Sequence, residues 1–418
     1  MTSSRQPADP DRRTFPLAAL LANLAVQTLA TAAAYSIPAV APEVARDLAI
    51  PPAWVGFFIS IVYGVGILSA LFSPRIIHSY GAVRVNQGVL IATLAMLLAA
   101  AAGNLPAVAL GAALMGLAYG ATAPASTHML VPLTPPRVMN VVLSLRQIGV
   151  PLGGVLAGLA MPPLTLILGW QSSLLIEIVP VLILLVILEK VRPRWDLGPA
   201  PSAAPATRFE PIRMLKGSSQ LRRLAMAVFV FSGLQLCFIV FMTTQLTTVI
   251  GLDLVTAGQM LAVYQVAGVI TRPIWGWIAD RFLAARWLLV VQSLIMFGAA
   301  NMAANFEAGA STSLVFIMAV AGGASASGYT GIAYAEFARI GGAKRTEATG
   351  LGAAAMFCGV LVLPSSMSLA VIYLGGYFLA YASIGVAALA SGVLLALPNA
   401  AADRAQHQPR SVGGSSPK

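Results

Sequence analysis

Two arginines, Arg146 and Arg272, lie deep inside long apolar segments of the sequence, and each could bind an anion there. A charged side chain in a hydrocarbon environment is costly, so an ionisable residue inside such a segment is a candidate for a functional role. A guanidinium group presents a planar fork of N–H donors that matches a carboxylate with two parallel hydrogen bonds. This chemistry becomes relevant if the apolar segments cross a membrane.

The composition indicates an all-α integral membrane protein. Of the 418 residues, 58% are hydrophobic and 9% are charged, whereas soluble domains carry about 25% charged residues. A helix of about 20 apolar residues can cross a bilayer, and the sequence predicts twelve such spans. The predicted spans are 15–38, 53–72, 83–103, 105–127, 138–162, 169–188, 224–250, 256–278, 287–305, 310–336, 348–373 and 376–398.

The basic residues predict the orientation of the chain in the membrane. If the N-terminus is inside, 22 of the 25 Lys and Arg residues fall in inner segments, and Arg46 alone falls in an outer loop. Lys and Arg are enriched in cytoplasmic loops, so both termini are predicted to be cytoplasmic. The net charge of +11 could also indicate nucleic-acid binding. The scatter of basic residues between apolar spans favours the membrane interpretation, and no nucleic-acid partner is expected.

A segment rich in Pro, Ala, Ser and Arg divides the chain into two halves. Residues 191–221 are predicted to form a flexible cytoplasmic linker because of this composition. The linker separates two six-helix bundles, 15–190 and 222–398. Residues 1–14 are predicted to form a cytoplasmic N-terminal tail. The C-terminal tail, 399–418, is predicted to be disordered.

Related loops follow spans 2 and 8, at matching places in the two halves. The loop after span 8 contains Gly276, Asp280 and Arg281, and the loop after span 2 contains Gly81 and Arg84. With twelve spans and a long central loop, this pattern resembles the major facilitator superfamily. The signature loop of that family is roughly G-x-x-x-D-R-x-G-R-R in the 2–3 loop, and it is echoed in the 8–9 loop.

The resemblance implies two pseudo-repeats that bind substrate between them, near the middle of the membrane. It also implies that the five loop residues named above form contacts that stabilise one conformation. The first loop departs from the family pattern, with His78 and Ser79 where Asp-Arg is usual. The loop charges could alternatively serve only to orient the chain in the membrane.

The segment Arg272-Pro273-Ile274-Trp275-Gly276 resembles the eighth helix of oxalate/formate and monocarboxylate transporters. In those proteins an arginine at this position is associated with the substrate carboxylate. Helices 5 and 8 of the superfamily fold face each other from opposite halves, so Arg146 and Arg272 are both predicted to contact an anionic substrate. Alternatively, Arg272 extends to the cytoplasmic face and belongs to the loop contacts.

Polar residues inside the spans are further candidates for substrate contact. Span 1 carries Asn23, Gln27, Thr31 and Tyr35 at intervals of four, which places them on one helix face. This stripe is predicted either to face a central cavity or to make hydrogen bonds between helices. In span 8, Gln265 lies on the same face as Arg272. Further candidates are Tyr119, Thr122, Gln235 and Tyr329.

Glu177 is the only acidic residue well inside a predicted span. A carboxyl group in apolar surroundings can carry a proton, so Glu177 is a candidate for proton coupling. It could equally be a structural group near the outer face.

The sequence predicts neither an enzyme nor an ATP-driven pump. No G-K-[ST] phosphate loop is present, and the three histidines are far apart, so no metal site or other cofactor is expected. The prediction is a monomeric, proton-coupled secondary carrier that imports a small organic anion across the inner (plasma) membrane. The alternative is an efflux carrier for drugs or other amphipathic compounds. The segment Gly149-Val150-Pro151 favours the efflux alternative, because this segment partly resembles the adjacent Gly-Pro of drug antiporters.

Overall fold

The computed structural model describes residues 16–135, 142, 145–195 and 210–398, and the regular structure in these ranges is helical. Two short segments, Leu246–Ile250 and Gly323–Ser327, are π-helical. The α-helices, numbered in chain order, are α1 Leu17–Ala39, α2 Ala41–Asp47, α3 Val55–Tyr80, α4 Ala82–Ala101, α5 Leu105–Leu133, α6 Gly149–Leu168, α7 Trp170–Trp195, α8 Glu210–Gly217, α9 Ser219–Gln245, α10 Leu254–Arg281, α11 Ala285–Ala304, α12 Thr312–Gly322, α13 Thr330–Gly341, α14 Arg345–Tyr373 and α15 Tyr377–Ala396.

Eleven helical segments of the described residues are long and apolar enough to cross a membrane. This finding confirms a multi-pass helical membrane protein, and the segments correspond to predicted spans 1–5 and 7–12. The predicted sixth span corresponds to α7, a 26-residue helix that is not among the eleven. Large apolar side chains cover the outer faces of the bundle, with Ile167 77% exposed and Ile183 56% exposed. Such a surface suits a lipid environment.

The fifth span differs most from its prediction. Residues 138–162 were expected to form this helix, of which 138–141, 143 and 144 lie outside the described residues. Helix α6 begins at Gly149 and ends at Leu168, with Pro162 and Pro163 inside it. A proline removes a backbone hydrogen bond, but packed neighbouring helices allow it within a membrane helix. Arg146 therefore precedes α6, on a short helical turn.

The predicted linker, 191–221, is partly helical. Helix α7 continues to Trp195, and α8 and the start of α9 occupy the C-terminal part of the linker. Residues 196–209 and both predicted tails lie outside the described residues.

One contact recurs in both halves at the end of the bundle where α1 begins and α15 ends, here called the termini end. Arg84, at the start of α4, donates to the carboxylate of Glu189 on α7 at 2.9 Å. Arg286, at the start of α11, donates to the carbonyl oxygens of Leu395 and Leu397 at the end of α15, the latter at 2.6 Å. An arginine thus joins the corresponding pair of helices in each half. In the second half its acceptors are carbonyl groups that a helix end leaves unpaired.

Helix α10 begins with a side-chain cap at the opposite end of the bundle, the far end. The carboxylate of Asp253 accepts hydrogen bonds from the backbone N–H of Thr256 at 2.9 Å and from its hydroxyl at 2.6 Å. The hydrogen bonds from Thr256 lower the pKa of Asp253 below its ordinary value of 3.8. The cap therefore stabilises the fold at neutral pH, and this contribution disappears as the pH falls through the lowered pKa.

We expect Asp253→Ala to lower the free energy of unfolding by about 1 kcal/mol at neutral pH. The melting temperatures of the purified variant and wild type in detergent test this expectation. The difference between them should shrink in acid, because the carboxylate of the wild type is then protonated. Equal melting temperatures for variant and wild type at neutral pH would contradict the capping role.

Candidate functional site

A cavity of about 170 Å³ lies between the two halves. Its walls come from α1, α3, α5 and α6 in the first half and from α9, α10, α13 and α14 in the second. Arg272 is the charged residue of the described lining, and the rest is largely aromatic and polar. The lining residues are Tyr35, Tyr63, Tyr119, Gln147, Val150, Ser232, Gln235, Leu236, Arg272, Tyr329, Thr330, Tyr334, Met356, Phe357 and Val360.

The guanidinium group of Arg272 joins the two halves at this cavity. Its Nε donates to the carbonyl oxygen of Ser327 at 3.0 Å and its Nη2 to the Ser327 hydroxyl at 3.3 Å. Its Nη1 donates to the carbonyl oxygen of Gln147, in the first half, at 3.0 Å. Because a guanidinium has five N–H groups, two remain after these three bonds. Among the described residues, no carboxylate lies within ion-pair distance of Arg272.

Aromatic rings form a continuous wall of the cavity. The ring centroid of Tyr63 lies 5.4 Å from that of Tyr119 and 6.1 Å from that of Phe357, so the wall crosses from the first half to the second. Tyr35 and Tyr329 are fully buried, and their hydroxyl groups have no hydrogen-bond partner of normal geometry among the described residues. The hydroxyl of Tyr35 interacts with those of Tyr63 and Tyr119, and the hydroxyl of Tyr329 interacts with that of Ser232.

The polar stripe of span 1 divides into two parts. Gln27 donates to the hydroxyl of Thr31 at 3.2 Å, and Thr31 donates to the hydroxyl of Tyr119 at 3.4 Å, which continues the chain of polar groups to the cavity. Asn23 accepts a hydrogen bond from Asn86 at 3.1 Å instead, within the first half. One end of the stripe thus connects helices, and the other end reaches the cavity wall.

Arg146 lies outside the described lining of the cavity. Its side chain is buried, and its Nη1 donates to the hydroxyl of Ser126 at 2.5 Å and approaches the carbonyl oxygen of Ala123 at 3.5 Å, both on α5. Its Nε has no partner among the described residues. Tyr334, which lines the cavity, is close enough to interact electrostatically with the guanidinium. Substrate contact by Arg146 stays a prediction, and in this conformation the side chain joins the turn before α6 to α5.

The other predicted polar residues are distributed around the cavity. Gln235 and Tyr329 line it, whereas Gln265 is buried against Gly154 of α6, where an added Cβ would overlap its amide. The Nε2 of Gln265 has no partner among the described residues. Thr122 donates to a carbonyl oxygen of its own helix at 2.7 Å.

Glu177 contacts α1 away from the described cavity lining. The hydroxyl of Ser36 is in hydrogen-bond contact with the Glu177 carboxyl group, and it also lies 2.8 Å from the carbonyl oxygen of Ala32. A hydroxyl has one proton and can donate to only one of these oxygens at a time. When Ser36 donates to Ala32, a proton on Glu177 is needed to preserve the other hydrogen bond.

The loop residues predicted to stabilise one conformation make different contacts. Gly81 has a φ of +85°, a backbone conformation that favours glycine, and it separates α3 from α4. Asp280 is exposed and forms no ion pair with another described residue. The guanidinium of Arg281 lies 6.0 Å from the ring centroid of Trp277. Gly276 faces open space.

A close contact joins α3, with the short turn Pro52–Trp54 before it, to α14 on the far-end side of the cavity. Ser60 donates to the carbonyl oxygen of Leu361 at 2.8 Å and accepts from Ser365 at 2.5 Å. Ser368 donates to the carbonyl oxygen of Ala53 at 2.7 Å. These three hydrogen bonds connect the two halves, so this contact is here called the far-end seam.

A second close contact joins the halves through two glycines. A Cβ added to Gly158 of α6 would lie 2.7 Å from the carbonyl oxygen of Gly258 on α10, and a Cβ added to Gly258 would overlap the carbonyl oxygen of Gly158. Only glycine allows the two backbones to approach this closely.

The sequence matches one protein family over nearly all of its length. A family model described as Major Facilitator Superfamily matches residues 24–299 and, in an overlapping match, residues 224–416. The chain belongs to the major facilitator superfamily. A search of curated proteins returned no match. The family resemblance seen in the sequence is therefore confirmed, whereas the resemblance to oxalate/formate and monocarboxylate transporters is not tested by this match.

Solved transporters share the fold of this major facilitator superfamily protein. A bacterial homolog of the human lysosomal transporter Spinster, inward-facing and unoccupied, is 18% identical, with a TM-score of 0.68 over 91% of this chain and 94% of that one. The nucleoside transporter NupG is 13% identical, with a TM-score of 0.73 over 90% and 98%. The peptide transporter POT, in complex with sulfate, is 13% identical, with a TM-score of 0.69 over 90% and 93%. These likenesses show a transporter fold and leave the substrate open.

Sequence reasoning did not select several residues that line the cavity of this superfamily member. Tyr63, Tyr334 and Phe357 were not among the candidates, although Tyr35 and Tyr119 were. Tyr63 and Tyr334 each place a polar hydroxyl group inside an apolar span, which is the feature for which Tyr35 and Tyr119 were selected. Phe357 has no polar atom, and its position in the wall depends on contacts between halves that the sequence does not display.

Proposed function

We propose that this protein is a secondary carrier that moves a small organic anion across a membrane. The observation that supports the proposal is Arg272, which lies at a cavity between the two halves without a carboxylate partner among the described residues. A cation removed from water is stabilised by an anion. A bound carboxylate can accept hydrogen bonds from the two remaining N–H groups of the guanidinium.

The location of the cavity supports transport by alternating access. Members of this fold bind their cargo between the halves, which rock about the site to expose it first to one side and then to the other. In the present conformation the far-end seam closes one side. We propose that the far end faces the outside of the cell, because the described termini end carries most of the described basic residues.

The topology is completed by α7 as a twelfth span. Its exposed apolar residues, such as Ile183, suit a lipid contact, and its length of 26 residues is sufficient to cross a bilayer. Twelve spans would put both termini on the same side of the membrane, and the basic residues favour the cytoplasm as that side. The protein is proposed to act as a monomer in the inner (plasma) membrane.

The chemistry of the cavity argues against the alternative of efflux of cationic drugs. Arg272 repels a cation, and the described lining contains no carboxylate that would compensate a positive charge. The aromatic wall and Met356 would accept a neutral amphipathic compound. A neutral substrate would leave the charge of Arg272 without a counter-ion, so the anion is favoured.

We propose proton coupling through Glu177. Its contact with Ser36 ties the protonation state of a carboxyl group to α1, and the neighbouring residue on α1, Tyr35, lines the cavity. Proton transfer to and from Glu177 would change the hydrogen bond that Ser36 makes, and through it the packing of α1. The alternative is a purely structural contact between α7 and α1.

Glu177→Gln is expected to abolish the dependence of uptake on an imposed pH gradient and to preserve exchange of cargo between two compartments. The amide keeps a hydrogen bond to Ser36 but cannot release a proton. The measurement is uptake of labelled carboxylate by proteoliposomes, with Glu307→Gln in an exposed loop as the control. Uptake by the Glu177 variant that still follows the pH gradient would show that the proton is carried elsewhere.

The proposed function itself is tested by uptake into proteoliposomes that contain the purified protein. Labelled monocarboxylates should accumulate above the level of protein-free vesicles, and unlabelled carboxylates should compete with them. Transport of cationic drugs in the absence of carboxylate transport would overturn the proposal in favour of the efflux alternative.

A further inference from the structure

The cavity combines one anion-binding side with one aromatic side. Rings of Tyr119, Tyr63 and Phe357 contact one another in sequence, with centroid separations of 5.4 and 6.1 Å. An aliphatic wall would be sufficient to exclude water from a small aliphatic acid. A set of rings that continues across both halves provides faces and edges that a planar ring can contact from each side.

The anion side has donors that no described group uses. Arg272 retains two N–H groups after its three hydrogen bonds. Tyr35 and Tyr329 line the same cavity, and their buried hydroxyls interact with other hydroxyl groups but meet none of them at normal hydrogen-bond geometry. Unsatisfied buried donors indicate a missing acceptor, and the two oxygens of a carboxylate can accept four hydrogen bonds.

The size of the cavity restricts the cargo further. A space of about 170 Å³ is below the usual range for drug-sized ligands. We propose, on the basis of the proposed carrier function, that the cargo is an aromatic monocarboxylate with a single ring. Its carboxylate binds Arg272 and the hydroxyls of Tyr35 and Tyr329, and its ring packs against Tyr63 and Phe357.

Three probe molecules separate the contributions of the charge and of the ring. Benzoate has both, cyclohexanecarboxylate has the charge on a saturated ring, and benzamide has the aromatic ring without the charge. We expect the purified full-length protein to bind benzoate roughly three- to tenfold more tightly than cyclohexanecarboxylate, since aromatic contacts add to the burial of apolar area. Benzamide should bind at least tenfold more weakly than benzoate, because it cannot neutralise Arg272.

A pair of variants locates the ring. Phe357→Leu should remove most of the preference for benzoate over cyclohexanecarboxylate and leave the preference for benzoate over benzamide. The matched control is Phe378→Leu on α15, where the ring is 55% exposed on the outside of the bundle. This control should prefer benzoate over cyclohexanecarboxylate, and benzoate over benzamide, by the same factors as the wild type.

The outcomes distinguish the two proposals. Equal affinity for benzoate and cyclohexanecarboxylate, with benzamide much weaker, overturns the aromatic preference and keeps the organic-anion carrier. Equal affinity for benzoate and benzamide overturns the proposal that the carrier's cargo is an anion. A full aromatic preference in Phe357→Leu also overturns the inference, because the ring would then bind away from this wall.

Discussion

Arg272→Lys is expected to weaken binding of an organic anion by roughly 10- to 100-fold. Lysine carries its donors on a single nitrogen. It therefore cannot donate hydrogen bonds to the carbonyl oxygens of Ser327 and Gln147 and also offer two parallel N–H groups to a carboxylate. The loss of one charge-assisted hydrogen bond, worth about 1.5–3 kcal/mol, accounts for a change of this size. The measurement is the concentration of carboxylate that half-saturates uptake by proteoliposomes.

A conservative change at an arginine outside the cavity provides the control for this result. Arg46 on α2 is exposed and forms an ion pair with Glu43 one turn before it. Arg46→Lys should leave the affinity unchanged. If Arg272→Lys binds the anion as tightly as the wild type does, Arg272 belongs to the contacts between helices and not to the substrate site.

Gly258→Ala is expected to shift the protein towards conformations in which the halves separate at the far end. The added methyl group would overlap the carbonyl oxygen of Gly158, and overpacking of this kind costs about 1–3 kcal/mol. A penalty of this size that applies only to the closed far end changes the population ratio by roughly 5- to 150-fold. The chain should still fold, because the added methyl group would overlap α6 of the other half and not a helix of its own half.

Cysteine labelling measures this shift. With Cys237 and Cys358 replaced by alanine, a cysteine in place of Ser60 reports the far-end seam, since Ser60 is buried there. A membrane-impermeant maleimide should react with it roughly tenfold faster in Gly258→Ala. Gly298→Ala is the control, because a Cβ at that position meets no atom within 4 Å. Equal labelling rates in the two glycine variants would contradict the role of the glycine contact in closing the far end.

The positions of the helices were largely predictable from the sequence, because apolar length and charge determine where a chain can cross a membrane. Eleven predicted spans have counterparts among the segments long and apolar enough to cross. The fifth span was predicted to end at residue 162, whereas α6 continues through Pro162 and Pro163 to Leu168. A single sequence does not show which neighbouring helices compensate a proline, so its effect on a membrane helix is decided by packing.

The site was only partly predictable. Arg272, Tyr35 and Tyr119 were selected because a polar group inside an apolar span needs a partner, and all three line the cavity. The same reasoning could not separate Arg146 from Arg272. Arg146 bonds to Ser126 within its own half, whereas Arg272 reaches across to the other half, and this difference depends on helix packing.

The central claim is that Arg272 binds an anionic cargo between the halves. Thermal unfolding of the purified protein tests it directly, because a ligand that binds the native state raises the melting temperature by mass action. Small carboxylates should raise the melting temperature of the wild type and have little effect on Arg272→Lys, and cationic drugs should have little effect on either. Stabilisation of both proteins by cationic drugs, with none by carboxylates, would contradict the claim.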